Sequence, residues 1–271
     1  MADERDRARD QWRRTEPVVG AFTWPLALRM ASVTAIGPGQ RVLDVGCGIG
    51  DPTLQVAVLV GPHGRVLGID LVEELLVRAR ERAAALGLAH VEFVAADVLD
   101  VDLGAERFDA ILARWSLPYV RDVPAALRRL RTALAPAGRI AIAGWAPPEA
   151  NPWLAIPLEA LAREGAVPAF DAARPGPFHL SADGALARAL VQEGFQAVGQ
   201  ERVTLSLVAR DLDELWAVLA AVDTPLAPLL AALDPAARQR VGRAVAEGLA
   251  AHRTGDVYRV PAQAQLAWGR G

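Results

Sequence analysis

The sequence predicts an α/β protein built on a parallel, doubly wound sheet. Three observations predict it. Short β-rich runs alternate with helix-patterned stretches from Arg41 to Gly144, the rhythm of strand–helix–strand units. One run, Val42–Val45, passes directly into a glycine-rich turn that opens a helix. Acidic residues, Asp70 and Asp97, close or follow the next two β-rich runs, where the crevice of such a sheet binds its ligand.

The elements follow in order. Residues 1–15 are highly charged and form a mobile or helical lead-in. Val18 to Thr34 is apolar and helical, and Gly37-Pro38-Gly39 ends it. Arg41–Val45 is the first strand, and Thr53–Val60 is a helix closed by Gly61-Pro62. Arg65–Ile69 is the second strand, followed by an amphipathic helix over Val72–Leu86 that stops at Gly87. Val91–Ala95 and Phe108–Ala113 are the third and fourth strands. A helix over Pro124–Leu134 halts at Pro136-Ala137-Gly138, and Arg139–Gly144 is the fifth strand. The rhythm then breaks: residues 146–180 are rich in proline and glycine, among them those at 147, 148, 152, 157, 168, 175, 176 and 177, the text of an insertion. Ser181 to Glu193 is helical, Phe195–Leu207 holds a strand, 211–252 is Ala/Leu-rich and helical, and Tyr258–Trp268 alternates as a last strand.

Bulk properties narrow the function. The 271 residues suffice for one large domain with a core that needs no disulfide or metal. A net charge of -3 offers no electrostatic case for nucleic acid or an anionic membrane. Cys47 is the single cysteine, and no Cys/His set has metal-ligand spacing. No apolar run has membrane-spanning length and the charged start lacks a secretory pattern, so the expectation is a cytoplasmic protein without stable membrane insertion. Every basic residue is arginine. Without lysine there is no phosphate-binding P-loop, no tyrosine–lysine reductase pair and no Schiff-base lysine.

The most informative text is Val42-Leu43-Asp44-Val45-Gly46-Cys47-Gly48-Ile49-Gly50-Asp51-Pro52-Thr53. Glycines let a backbone approach a ligand closely. The dinucleotide fingerprint wants a further glycine where Asp51 stands. Asp51 reads as N-cap with Pro52 at the first helical position, and a carboxylate there would repel a pyrophosphate. The loop therefore suits a ligand without phosphates, such as S-adenosylmethionine, an adenosine joined to a cationic amino acid. Asp70 stands where a ribose diol is gripped, and Asp97 where a carboxylate accepts from an adenine amino group with Val98 near the ring.

With these residues the chain resembles the class I S-adenosylmethionine-dependent methyltransferases, most closely the type 11 domain and the ubiquinone/menaquinone-biosynthesis C-methyltransferases. The resemblance rests on Val42–Gly50, Gly68-Ile69-Asp70, Ala96-Asp97, Arg107–Ile111, Arg114–Leu117 and Leu134–Arg139. It implies a Rossmann-like, doubly wound sheet of seven strands with the last antiparallel. It implies that Asp44 and the backbone of Gly46, Cys47, Gly48 and Gly50 hold the methionine part. Asp70 would then bind the ribose hydroxyls with Leu71 against the adenine, and Asp97 and Val98 would hold the adenine. Arg114 and Trp115 would border the sulfonium and the acceptor. Pro136-Ala137-Gly138 departs from the family's Pro-Gly-Gly. On this reading 1–271 is one domain: a helical cover over 1–36, a cofactor core over 37–145, and insertions at 146–180 and 208–253 that form the acceptor pocket and lid.

Other residues carry blander readings. Cys47 has no basic neighbour in sequence and reads as small and buried. Trp12, Trp24, Trp145, Trp153 and Trp216 read as packing, and His63, His90 and His252 as structural or exposed. His179, in the insertion, is a candidate general base, and Arg114 a second catalytic candidate. Trp153, Phe170, Phe178 and Trp216 predict a small apolar or aromatic acceptor. A catalytically silent S-adenosylmethionine-binding protein and a nucleotide-dependent oxidoreductase are the alternatives.

Overall fold

The computed structural model describes residues 2–103, 107–167, 171, 174–222, 229 and 232–271. In chain order its main elements are α1 (Ala2–Val33), β1 (Arg41–Val45), α2 (Thr53–Val60), β2 (Arg65–Asp70), α3 (Glu73–Ala85), β3 (Val91–Ala95) and β4 (Phe108–Arg114). After these come α4 (Val123–Ala133), β5 (Leu134–Trp145), α5 (Pro152–Arg163), α6 (Ala185–Gln192), β6 (Gln196–Ala209), α7 (Leu212–Val222), α8 (Pro235–Gly248), β7 (Arg253–Thr254) and β8 (Val257–Arg270).

The sheet runs β3-β2-β1-β4-β5-β8-β6, with the two-residue β7 paired to β8 off this path. Strands β1 to β5 pair in parallel, and β8 lies antiparallel to β5, Ile142 opposite Ala267. This is the doubly wound sheet with an antiparallel last strand, extended by one short strand. Strand order reverses between β1 and β4, so the loops leaving those two strands flank one crevice. Both faces of the central strands are covered, which makes them continuous apolar runs. Leu43, Val45, Ile111, Ile140 and Ile142 pack with Leu127 and Leu130 of α4 and Leu186 and Leu190 of α6. A second cluster gathers Cys47, Leu54, Leu76, Ala79 and Phe93.

Several sequence expectations change. The charged lead-in and the next helix are one helix, α1, with Pro25 inside it. Strand β5 begins at Leu134 rather than Arg139, because Leu134 already pairs with Phe108 before a register shift. The turn that shift creates holds Ala137 at φ +65. The Pro-rich insertion contains α5, which starts with Pro152 in its first turn and tolerates Pro157 inside. Phe170 lies outside the described residues, as do 223–228 within the long Ala/Leu-rich segment and the side chain of Trp12.

Contacts divide the chain into two compact units: residues 1–25, 146–171 and 204–263, and residues 26–145, 172–203 and 264–271. The first is organised around Asn151, which is fully buried. Its Nδ2 donates to the carbonyls of Ala146 (2.9 Å) and Gln263 (3.0 Å). Its Oδ1 accepts from Gln263 N (3.0 Å) and Trp153 Nε1 (3.2 Å). Trp153 meets Phe22 edge to face with ring centroids 5.0 Å apart. Arg240 of α8 holds Glu164 through Nε at 2.9 Å and Nη2 at 2.6 Å. The second unit carries the crevice.

Candidate functional site

Three consecutive strand ends build the site. After β1 the chain turns through Gly46 (φ +71), Gly48 (φ +54) and Gly50 (φ +97), angles that side chains with a Cβ rarely take. Gly46 is also demanded by space, since a Cβ there would lie 2.2 Å from Ser116 Cβ. At Gly48 the opposite holds: a Cβ would meet nothing within 4 Å, so the loop faces open space there.

Four of the loop's N–H groups are bonded within the protein. Gly46 N and Cys47 N both donate to Ile69 O (2.7 and 3.0 Å), and Gly50 N donates to Cys47 O (2.9 Å). Gly48 N donates to Asp70 Oδ2 at 2.8 Å. A phosphate cradle needs such N–H groups aimed at the ligand, and these four point instead at Ile69, Asp70 and Cys47. The phosphate-free reading stands, but its reason changes. Asp51 does not cap α2, whose N-cap is Pro52. Its carboxylate instead pairs with Arg82 of α3 at 3.0 Å and accepts from Gln55 Nε2 of α2 at 2.5 Å, so its charge is answered by a guanidinium and not by the helix end.

Asp44 is 1% exposed on β1. Thr53 Oγ1, in the first turn of α2, donates to its Oδ2 at 2.6 Å. Its Oδ1 is buried without a hydrogen-bond partner. Burial pushes its pKa up to about 6, against the opposing pull of the Thr53 hydrogen bond and the Arg114 charge. A buried carboxylate with an unused oxygen is a receptor for a cation.

Asp70, at the end of β2, is oriented from both sides: Oδ2 accepts from Gly48 and Oδ1 from Val72 N at 3.0 Å. Each oxygen keeps a second lone pair for a hydroxyl. Leu71 beside it is 71% exposed, a bare apolar surface next to a hydroxyl acceptor. Asp97 turns the chain after β3, accepting from Leu99 N at 2.8 Å, with Arg121 4.0 Å from its other oxygen. The Val98 side chain is buried in the core cluster, so it is not a surface against which a ring can lie. Cys47 likewise packs in the core, where burial raises its thiol far above the ordinary range.

Beyond β4, Arg114 and Trp115 come together. Arg114 Nη2 donates to Asp51 O at 2.7 Å. Burial pulls its pKa down while Asp51 and Asp44 push it back up. Its guanidinium carbon sits 4.7 Å from the Trp115 ring centroid. Trp115 takes φ +57 and stacks on Trp145, centroids 4.3 Å apart and planes 15° off parallel. Trp115 Nε1 is buried without a partner. Ser116 Oγ donates to Val45 O at 2.6 Å, which ties this loop to the glycine loop.

His179 reaches the same loop, its Nδ1 3.0 Å from Pro118 O. A carbonyl only accepts, so Nδ1 carries the proton and Nε2 of the neutral ring keeps its lone pair. Gly176 N also donates to Pro118 O, Phe178 is buried, and Leu180 stands at φ +62. Trp153, at 0% exposure, packs in the core as its individual reading had it, and it and Phe178, at 1%, are core residues and not the acceptor-facing surface that the insertion's aromatic content suggested. Sequence reading missed Thr53, Arg82, Ser116 and Asn151. Only Thr53 left a signal, a hydroxyl in the first turn after a glycine loop.

The residues fit S-adenosylmethionine in polarity: a buried carboxylate oxygen for an ammonium, a buried N–H for an oxygen, a diol acceptor at Asp70 and an apolar face at Leu71. Among the described residues no group of three or more His, Cys, Asp or Glu could hold a metal ion, and no helix is long and apolar enough to cross a membrane.

Comparison with known proteins agrees. A family described as "Methyltransferase domain" matches residues 36–163. Nocamycin O-methyltransferase of Saccharothrix syringae is 34% identical over 203 residues, 72% of each chain. A 2-phytyl-1,4-naphtoquinone methyltransferase of Trichormus variabilis is 39% identical over 110 residues, 40% of this chain and 48% of its own. Thus the chain spans nearly three quarters of the first relative and about half of the second. Phosphoethanolamine N-methyltransferase 2 of Haemonchus contortus, solved in complex with S-adenosyl-L-methionine, shares the fold with a TM-score of 0.57 at 19% identity, over 93% of this chain and 56% of that one. The strand order, the phosphate-averse glycine loop and a relative matched across both chains together make this protein a member of the class I S-adenosylmethionine-dependent methyltransferases.

Proposed function

We propose that the protein methylates an oxygen of a small apolar or aromatic molecule, an enol, phenol or carboxylic acid. The observation that carries this reading is the fixed tautomer of His179, whose Nε2 lone pair is available to take a proton from an acidic hydroxyl. The O-methyltransferase relative, matched over 72% of each chain, supports it. When bound, S-adenosylmethionine supplies a methyl carbon already activated by positive sulfur. The protein's task is then to hold donor and acceptor in line and exclude water.

Roles divide along the sheet. Asp44 receives the ammonium of the methionine part, Gly48 leaves the loop open, Asp70 binds the ribose hydroxyls and Leu71 lies against the adenine. Asp97 accepts from the adenine amino group, and Val98 contributes through its backbone. Arg114 is a positioning residue through Asp51 O and the Trp115 ring, rather than a proton donor. Acceptor choice falls to segments 146–180 and 208–253. The naphthoquinone enzyme aligns over only 40% of this chain, whereas the O-methylating relative aligns over 72%. Methylation at quinone carbon is the second reading, and that shorter alignment makes it the weaker one.

The test is a panel of acceptors incubated with methyl-labelled S-adenosylmethionine: phenols, enols, carboxylic acids, amines, thiols and RNA. Labelled methyl ether or ester is the expected product. Label found only on amine, carbon or RNA would remove the proposal. Cofactor binding with no transfer to any acceptor would favour a silent binding protein.

A further inference from the structure

The indole nitrogen of half-buried Trp115 is itself buried, and its N–H is a donor that the fold leaves unused. We infer that Trp115 Nε1 holds the α-carboxylate of the cofactor, making Trp115 a specificity determinant for the amino-acid end of the ligand. The inference rests on the cofactor site and not on the choice of acceptor.

Four observations lead there. First, a buried N–H without a partner destabilises the protein, and Trp115 Nε1 is such a group among the described residues. Second, the ring cannot turn away to find water. It is packed against Trp145 at 4.3 Å, with the Arg114 guanidinium 4.7 Å from its centroid. Third, its backbone is held at φ +57, a strained angle for a bulky residue, by a hydrogen bond from Trp115 N to Ala143 O at 2.8 Å. Strain of this kind persists where the surroundings fix a side chain for use.

Fourth, the unused donor has an unused counterpart. Asp44 Oδ1 is the buried acceptor without a partner, and Asp44 pairs with Leu112, three residues before Trp115. Arg114 connects them, acting electrostatically on Asp44 while lying beside the Trp115 ring. An acceptor for a cation and a donor for an oxygen, linked by a cation, suit the ammonium and carboxylate that share one carbon in an amino acid. A neutral acceptor oxygen would gain less from the Arg114 charge, so the carboxylate is the assigned partner.

The test is a cycle between Trp115→Phe, which keeps an aromatic ring against Trp145 but removes the N–H along with the five-membered ring, and the ligand's carboxylate; the effect of the lost ring area is common to both ligands and cancels in the comparison. Dissociation constants are measured by titration calorimetry for S-adenosylhomocysteine and for its decarboxylated analogue, which keeps the ammonium. The variant should bind S-adenosylhomocysteine about tenfold more weakly and the analogue within about twofold of wild type. Equal weakening of both ligands, or of neither, would overturn the assignment. Should the variant fold poorly, the wild type answers alone. In ¹⁵N-labelled protein one indole N–H signal should move downfield with S-adenosylhomocysteine and not with the analogue, and no such difference would also overturn it. Loss of binding by wild type to both ligands would instead remove the cofactor site itself.

Discussion

Thr53 donates its hydroxyl to one oxygen of Asp44 at 2.6 Å and leaves the other oxygen buried and unused. A side chain on α2 thus half-satisfies a carboxylate on β1, and the other half awaits a cation. Burial lifts Asp44 to about 6, above its ordinary 3.8. Below pH about 4 it is protonated whether folded or unfolded, and above pH about 6 the folded state alone bears the buried charge. The unliganded protein therefore gains stability from this group as pH falls through 6, by up to about 3 kcal/mol. Ligand binding runs the other way, since an ammonium needs the carboxylate. Affinity for S-adenosylhomocysteine should fall by up to about tenfold per pH unit below 6, and Asp44→Asn should bind weakly with no such slope. Calorimetry across pH 4.5–8 reads both; a flat wild-type profile would show that Asp44 does not meet the ammonium.

Asp70 gives a different signature. Its two oxygens accept from Gly48 and Val72 and keep lone pairs for the ribose. Asp70→Ala should weaken S-adenosylhomocysteine and 5′-methylthioadenosine alike, each by about tenfold, roughly 1.4 kcal/mol. Asp44→Asn should spare methylthioadenosine, which has no ammonium. Affinities of the two variants for the two ligands separate the roles, and identical patterns would contradict them.

His179 makes a kinetic prediction. His179→Gln keeps a donor toward Pro118 O but has no basic nitrogen. With an O-methylated acceptor in hand, kcat should fall about 10²-fold or more while KM for the cofactor holds. The rate should then rise with pH as hydroxide or the ionised acceptor replaces the base. An unchanged kcat at every pH would assign His179 to fixing the loop alone.

Ala137 concerns stability only. It stands at φ +65 at the register shift within β5. Ala137→Gly should stabilise the protein by about 1 kcal/mol by relieving that backbone strain. Gly138 offers the contrast, since a Cβ there would lie 2.9 Å from the carbonyls of Ala135 and Phe108, so Gly138→Ala should lower Tm. Thermal melts of the two variants against wild type decide it.

These residues also mark what was legible in the chain. Val42 to Gly50 declared its turn because residues with a Cβ rarely take those angles, and Asp70 declared itself by ending a strand. Strand β8 was readable from its alternation. Helix α5 was hidden, because Pro152 and Pro157 read as breakers, whereas Pro152 merely occupies a first turn with no helical N–H to lose. The network that fixes its start, Asn151 to Ala146, Trp153 and Gln263, spans 112 residues between Asn151 and Gln263, and no local pattern reports it. Asp51 was misread for the same reason. Its partner Arg82 is 31 positions away on another helix, so local spacing suggested a cap where the fold made an ion pair. The unused atoms of Asp44 and Trp115 were equally invisible, because a missing partner is a property of three-dimensional neighbours.

The Trp115–Trp145 stack has an optical consequence. Two indoles lying nearly parallel couple their excited states and generate a paired circular-dichroism signal that neither produces alone. One member carries the N–H assigned to the cofactor, so the coupled signal is a reporter wired into the site. Loading the protein with ligand should reshape that signal without any added label, and the chain then announces its own occupancy in ultraviolet light.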